Sequence, residues 1–240
     1  DGTFTFDPKA GVDFQQLAKD ETLDVTFTYK ATDRHGAESL PAIVTITVTG
    51  VNDDPVAEDD LYVIAQNLQL IADDEDGTQT PSNDNDNGVM ANDFDVDNGA
   101  DPVVSELESS ASNLNTNFIT ARGATINLQA DGTFVYDPTF SEELRELAPG
   151  DTSLYQFTDT IKDSRDRPDG AFIKITVQGV NDNPEANDDT YEVDQDETLT
   201  VSEQNGLRAN DTDPDNNDSI SIVEIIDGAT NLGGTVNVQT

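Results

Sequence analysis

Cysteine and tryptophan are absent from the 240 residues, histidine and methionine occur once each, and 11 lysines and arginines face 50 acids. Without cysteine there can be neither disulfides nor thiolate metal sites. The single histidine, His35 beside Gly36, leaves no Ser-His pairing from which a nucleophilic triad could be built, and it reads as solvated surface. The shortage of bases sets the net charge at −39. Nucleic acid and direct contact with an anionic membrane are thereby excluded, because both require positive surface. No apolar run is long enough for a transmembrane helix, and no signal peptide opens the sequence. The first residue already lies inside a repeat, so the expectation is a fragment of something longer.

What is present is 34% hydrophobic, with ten Phe and five Tyr, enough for thin β-type cores and about two domains. Aspartate supplies 36 of the acids and glutamate 14. Generic solvation would draw on Glu freely. Asp instead favours turns, where a short carboxylate on bent backbone suits a hard cation. The acids cluster, and the stretches between them alternate apolar and polar residues, which argues against disorder. Acid pairs of the kind used in glycoside hydrolysis occur by chance among so many carboxylates and carry no information.

The sequence repeats itself. Asp1-Gly2-Thr3-Phe4-Thr5-Phe6-Asp7-Pro8 returns as Asp131-Gly132-Thr133-Phe134-Val135-Tyr136-Asp137-Pro138. Leu17, Phe27 and Asp33 return at the same offset of 130 as Leu147, Phe157 and Asp163. Ala91-Asn92-Asp93-Phe94-Asp95-Val96-Asp97 reappears as Ala209-Asn210-Asp211-Thr212-Asp213-Pro214-Asp215. The period is about 129 residues. Residues 1–52 are the C-terminal half of one repeat, 53–181 a complete repeat, and 182–240 the N-terminal half of the next.

Period-two runs predict seven strands in the complete repeat: 61–64, 68–72, 103–108, 117–129 (whole or broken), 132–136, 154–162 and 171–178. Only 141–147 reads as helix, and at two turns it is more a loop plug. Short strands between Gly, Asn and Asp turns specify an all-β fold, tandem immunoglobulin-like sandwiches set end to end. Seven alternating strands bring the chain in at one end and out at the other. The same parity gathers the loops 73–101, 131–132 and 163–170 at the entry end.

Two connectors share nearly the same residues: Val51-Asn52-Asp53-Asp54-Pro55 and Val180-Asn181-Asp182-Asn183-Pro184, each followed by an Asp pair, Asp59-Asp60 or Asp188-Asp189. The proline and the short length favour a stiff joint over the competing reading, a flexible acidic linker. Candidate cation ligands at the first joint are Asn52, Asp53, Asp54, Asp59, Asp60, Asp93, Asp95, Asp97 and Asp163. Those at the second are Asn181, Asp182, Asn183, Asp188, Asp189, Asp211, Asp213 and Asp215. So many carboxylates cannot share one place unaided, since each like-charge pair at close range costs ~1 kcal/mol or more. Calcium accepts six to eight oxygens in loose geometry and suits ligands drawn from several loops, whereas magnesium demands stricter octahedral order. Asp93-x-Asp95-x-Asp97-Asn98-Gly99 begins like an EF-hand loop, but its glycine is one place late and no helices flank it. A different calcium loop is the reading, set against a solvated loop rich in Asx turns. The second joint lacks a counterpart of Asp163 within the sequence, so a weaker or incomplete site is expected there.

These words resemble the VCBS-type and cadherin-like tandem repeats of large bacterial surface adhesins, often grouped with RTX adhesins. The likeness is carried by Asp-Gly-Thr-Phe-x-Tyr/Phe-Asp-Pro at 1–8 and 131–138, Phe-Thr-Tyr-x-Ala-Thr-Asp at 27–33, the Val-Thr-Ile-Thr-Val-Thr-Gly-Val-Asn-Asp run at 44–53 and Asn-Gly-(x)2-Ala-Asn-Asp-x-Asp at 205–213. Asn181-Asp182-Asn183-Pro184 is also similar to the connector at which cadherins bind calcium between domains. The resemblance implies a non-catalytic, calcium-stiffened extender on the cell surface, exported by type I secretion. It would project a distal binding domain, with adjacent repeats as its partners and any host or surface ligand held by other domains. Head-to-tail association of complementary half-repeats is a further expectation. The middle repeat departs from the pattern by an insertion starting at Asp73, and a sugar- or peptide-binding module using loop 73–90 through calcium is the alternative function.

Overall fold

A computed structural model describes residues 2–73, 88–222 and 236. Among the described residues are ten strands: β1 (Thr22–Tyr29), β2 (Ala42–Thr49), β3 (Asp60–Ala65), β4 (Leu70–Ala72), β5 (Val103–Leu107), β6 (Phe118–Ile119), β7 (Thr125–Leu128), β8 (Phe134–Asp137), β9 (Thr152–Lys162) and β10 (Pro168–Gln178). Two single-turn helices, α1 (Val12–Gln15) and α2 (Glu142–Arg145), interrupt them. The insertion expected to mark loop 73–90 lies, except for Asp73 and 88–90, outside the described residues.

Between 60 and 178 the strands form two four-stranded sheets, ordered β3-β10-β9-β5 and β4-β8-β7-β6. Alternation decides which side chains face inward. Tyr62 and Ile64 of β3, Phe157 and Ile161 of β9, and Ile173, Ile175 and Val177 of β10 meet Leu70, Ile126, Leu128, Phe134 and Tyr136 of the opposite sheet in one apolar core. Tyr62 stacks edge-on against Phe134, ring centroids 4.9 Å apart. The architecture is an all-β sandwich, the fold class expected from the sequence.

Each expected run contains a strand. The one at 117–129 is broken into β6 and β7, because Thr120 and Ala124 close a turn in which Gly123 takes φ +87°. The plug at 141–147 holds the short α2, capped by the Ser141 hydroxyl, which accepts from the Leu144 N–H at 3.2 Å. β3 runs parallel to β10, in register from Asp60↔Ile173 to Ala65↔Gln178, so the chain enters and leaves the sandwich at opposite ends.

The flanking stretches repeat parts of this plan. β1 and β2 pair antiparallel with Thr22↔Thr49 and Tyr29↔Ala42, the register that β9 and β10 keep with Thr152↔Gln178 and Asp159↔Ala171. A Cβ on Gly50 would lie 2.2 Å from the Leu17 and Ala18 carbonyl oxygens, and one on Gly179 would meet those of Leu147 and Ala148 at 2.5 and 2.2 Å. Only glycine fits at either place. Phe4, Phe27 and Tyr29, whose counterparts in the full sandwich face a second sheet, are exposed. In 185–222 the pairing among the described residues is one isolated bridge, Glu185↔Thr212.

Candidate metal joints

At both joints the connector backbone is tied to the Asp-x-Asp-x-Asp segment in the same way. Val56 and Phe94 exchange two hydrogen bonds at 2.8 and 3.1 Å, and Glu185 and Thr212 exchange two at 2.7 and 3.0 Å. The Glu58 N–H donates to Asp93 Oδ1 at 2.8 Å, as the Asn187 N–H does to Asp211 Oδ1 at 2.8 Å. The Asp53 N–H donates to Asp97 Oδ2 at 3.1 Å, and the Asp182 N–H to Asp215 Oδ2 at 3.0 Å. Within each segment an Asx turn closes at 2.9 Å, from the Asp97 N–H to Asp95 Oδ1 and from the Asp215 N–H to Asp213 Oδ1.

This arrangement uses one oxygen of each carboxylate. Its partner is left over. Asp93 Oδ2, Asp95 Oδ2, Asp97 Oδ1 and Asp215 Oδ1 are buried without a hydrogen-bond partner. An unmatched buried carboxylate oxygen costs free energy of order several kcal/mol unless a cation meets it. Burial is the main cause that pushes the Asp97 carboxyl up from the usual range, with the Asp95 and Asp53 charges adding to it against the Asp53 N–H and Arg165. Oxygens alone, several of them anionic and drawn from separate loops, are a donor set for a hard divalent cation, and they fit calcium.

The first joint closes further on Asp163, at the β9–β10 turn. Its Oδ1 accepts the Arg165 and Arg167 N–H groups at 2.8 and 2.7 Å, and its Oδ2 accepts Asn52 Nδ2 at 2.7 Å. Burial raises this carboxyl, but the three hydrogen bonds and the Arg165 charge outweigh it and hold it below the usual range. Asn52 thus joins the connector to a turn 111 residues away. Both connector asparagines bond their neighbour's carbonyl, Asn52 Nδ2 to Asp53 at 2.5 Å and Asn181 Nδ2 to Asp182 at 2.6 Å, but the long-range bond to a β9–β10 turn belongs to Asn52.

At the second joint Asp213, Asp215 and Asp218 each place an oxygen within 4.8 Å of the others, the one acidic group among the described residues to converge so far. They line an open cleft with Glu146, Asp211 and Arg208.

Other predicted residues are placed elsewhere. Asp54 takes a two-pronged ion pair from Arg167, 2.7 and 3.0 Å, and this lowers its carboxyl. Asp59 accepts Lys174 Nζ and the Phe172 N–H at 3.0 Å, and the lysine is the chief cause of its lowering. Two bases, Arg167 of the β9–β10 turn and Lys174 of β10, therefore occupy both acids. Asn183 and Asp188 are exposed, although the Asp188 carbonyl accepts Asn210 Nδ2 at 3.0 Å. Asp189 is half-buried beside Tyr191. Asp182 Oδ2 accepts Gln66 Nε2 at 3.2 Å, and the same nitrogen reaches the Val180 and Arg145 carbonyls at 3.3 and 3.1 Å.

Sequence reasoning passed over the contacts back to the preceding repeat. The Asn98 N–H donates to the Gln16 carbonyl at 2.7 Å and its Nδ2 to Glu21 at 3.3 Å; the Asn216 N–H donates to the Glu146 carbonyl at 2.9 Å and its Nδ2 to the Glu146 carboxylate at 3.3 Å. The signal was available, because an Asn follows the third Asp in both copies. Asp218 was also unmarked.

No protein-family model matches the chain, and no curated protein is similar to it. Among solved structures, protocadherin gamma B7 extracellular cadherin domains 1–4 align with 73% of this chain and 37% of their own, at 17% identity and TM-score 0.37. Protocadherin gamma B2 extracellular cadherin domains 3–6 align with 71% and 37%, at 17% identity and TM-score 0.34. The chain therefore spans little more than a third of these structures. The fold stands on the strands and registers given above.

Proposed function

We propose that the chain is a non-catalytic, calcium-stiffened extender from a bacterial cell-surface adhesin, extracellular, whose tandem repeats project a binding domain carried elsewhere. The repeat boundaries would fall at 52/53 and 181/182. Calcium at the first joint would be held by Asp95 and Asp97 with Asn52, Asp53 and Asp163 around them, and at the second by Asp213, Asp215 and Asp218 with Asp182 and Glu146 near. The ion would supply the positive charge that the leftover oxygens lack, and so fix the angle between consecutive repeats.

The observation that carries this reading is the same hydrogen-bond scheme at two joints, each leaving a buried, unpartnered carboxylate oxygen beside a proline-bearing connector. Extracellular modules hold calcium with Kd of order 10⁻⁴–10⁻³ M. Small-angle X-ray scattering of the 240-residue chain in 5 mM calcium (about five to fifty times that Kd) and then in EDTA is the test. A maximum dimension that shrinks and a profile that turns flexible on chelation are expected. Superimposable profiles would defeat the stiffening.

A further inference from the structure

The charged groups at the entry end of the middle sandwich fall into two sets. Asp53, Asp95, Asp97, Asp163 and Arg165 act on one another at the connector. Asp60, Asp93 and Asp159 form the core of the other, with Asp59 (paired to Lys174), Glu58 and Asp169 at its edge. We propose that Asp60, Asp93 and Asp159 form a second calcium site, enclosed within the middle repeat and separate from the joint.

Asp159 lies on the inward face of β9 between Phe157 and Ile161, where alternation reserves the place for an apolar side chain. It is 2% exposed, and neither carboxylate oxygen has a hydrogen-bond partner. Asp60, 8% exposed, is the first inward residue of β3, and its Oδ2 is also unpartnered. Between those two strands runs β10, which sets Ala171 opposite Asp159 and Ile173 opposite Asp60. A methyl group at Ala171 leaves the space above it to the acids on either side. Asp93 closes the sandwich end over them: one oxygen is fixed by the Glu58 N–H, and the other is buried and free.

Two buried acids and a half-buried third, Asp93, none paired with a base among the ion pairs of the described residues, are a site for a cation or a liability. Repeat comparison bears on which. The registers equate Asp159↔Ala171 with Tyr29↔Ala42, so the position that holds Tyr29 in the preceding repeat holds an acid here. The preceding repeat does not carry that cost, and here it falls where Asp60 and Asp93 stand beside Asp159. The three carboxylates are spaced more widely than the trio at the second joint. Calcium, which keeps water among its six to eight ligands, tolerates that spacing better than magnesium.

Native mass spectrometry of the full chain in calcium counts the ions. Asp159→Asn should lower the count by one relative to wild type, and Asp97→Asn should lower it by one at the joint independently. If Asp97→Asn lowers the count and folded Asp159→Asn keeps the wild-type number, the enclosed site is refuted while the joint stands. A wild-type chain that binds no calcium overturns both. Should Asp159→Asn not fold, crystals of the wild type grown in calcium decide: an ion within about 2.3–2.6 Å of an Asp159 oxygen supports the site, and its absence overturns it.

Discussion

The two joints are built from the same words, yet one is bolted and the other only pinned. Both carry an Asn that reaches back to the preceding repeat, Asn98 and Asn216, but at the first Asn52 also spans to Asp163 and Arg167 grips Asp54. At the second, Asn181 keeps the bond to its own neighbour that Asn52 also makes, without the cross-link to Asp163, and the carboxylates 213, 215 and 218 crowd an open cleft. The difference teaches what each part contributes. The Asp-x-Asp-x-Asp segment alone suffices to seat the connector, whereas the β9–β10 turn, whose counterpart in the third repeat is not among these residues, adds the cross-link. A joint that has both ends can hold its geometry with protein hydrogen bonds, and one that has a single end would depend more on the proposed ion.

The largest expected effect is on the whole molecule. At a hundredfold excess over Kd a single calcium site adds about 2.7 kcal/mol, so chelation should lower the melting temperature by about 10 °C, read by calorimetry. Without calcium, pH should matter through buried acids. Burial, with the neighbouring Asp charges, pushes Asp60 up to about 8 and Asp159 up to about 6. The folded state then holds protons that the unfolded chain has released above about pH 4, so stability in EDTA should fall as pH rises from about 4 to about 8. Saturating calcium should flatten that slope, and an equally steep slope in both conditions would count against cation binding here.

Substitutions sharpen the contrast between the joints. Asp215→Asn should weaken calcium binding at the second joint about tenfold, ~1.4 kcal/mol, and increase flexibility in scattering. Asp97→Asn should weaken binding comparably while flexibility changes less, because Asn52 and Asp163 still hold. Equal loss of rigidity in the two variants would erase the distinction. Next in size, Asn52→Ala should cost ~1–2 kcal/mol in denaturant melts, since it strands a buried carboxylate oxygen, and Asn181→Ala should cost close to nothing. The smallest change belongs to Arg167→Ala, whose exposed pair with Asp54 should be screened by added salt.

Much of this was legible from residue patterns. Alternation located every strand region, and parity alone put entry and exit at opposite ends, as the parallel β3–β10 pair does. Pairing across long separations was not legible. Nothing local to Asp54 or Asp59 announces that Arg167 and Lys174, more than a hundred residues on, will take them. Asp159 was missed for the opposite reason. Its place between Phe157 and Ile161 is readable as inward, but a carboxylate in a strand carries none of the turn signals that mark cation loops.

The parallel pairing of β3 with β10 has a mechanical consequence. A pull applied through the two connectors drags the first and last strands of the sandwich past each other along their length, with the Asp60–Ala65 and Ile173–Gln178 rungs loaded together. Such a shear load has to break the whole ladder at once, whereas peeling a hairpin breaks rungs singly. A repeat threaded in this way resists tension before any ion is counted.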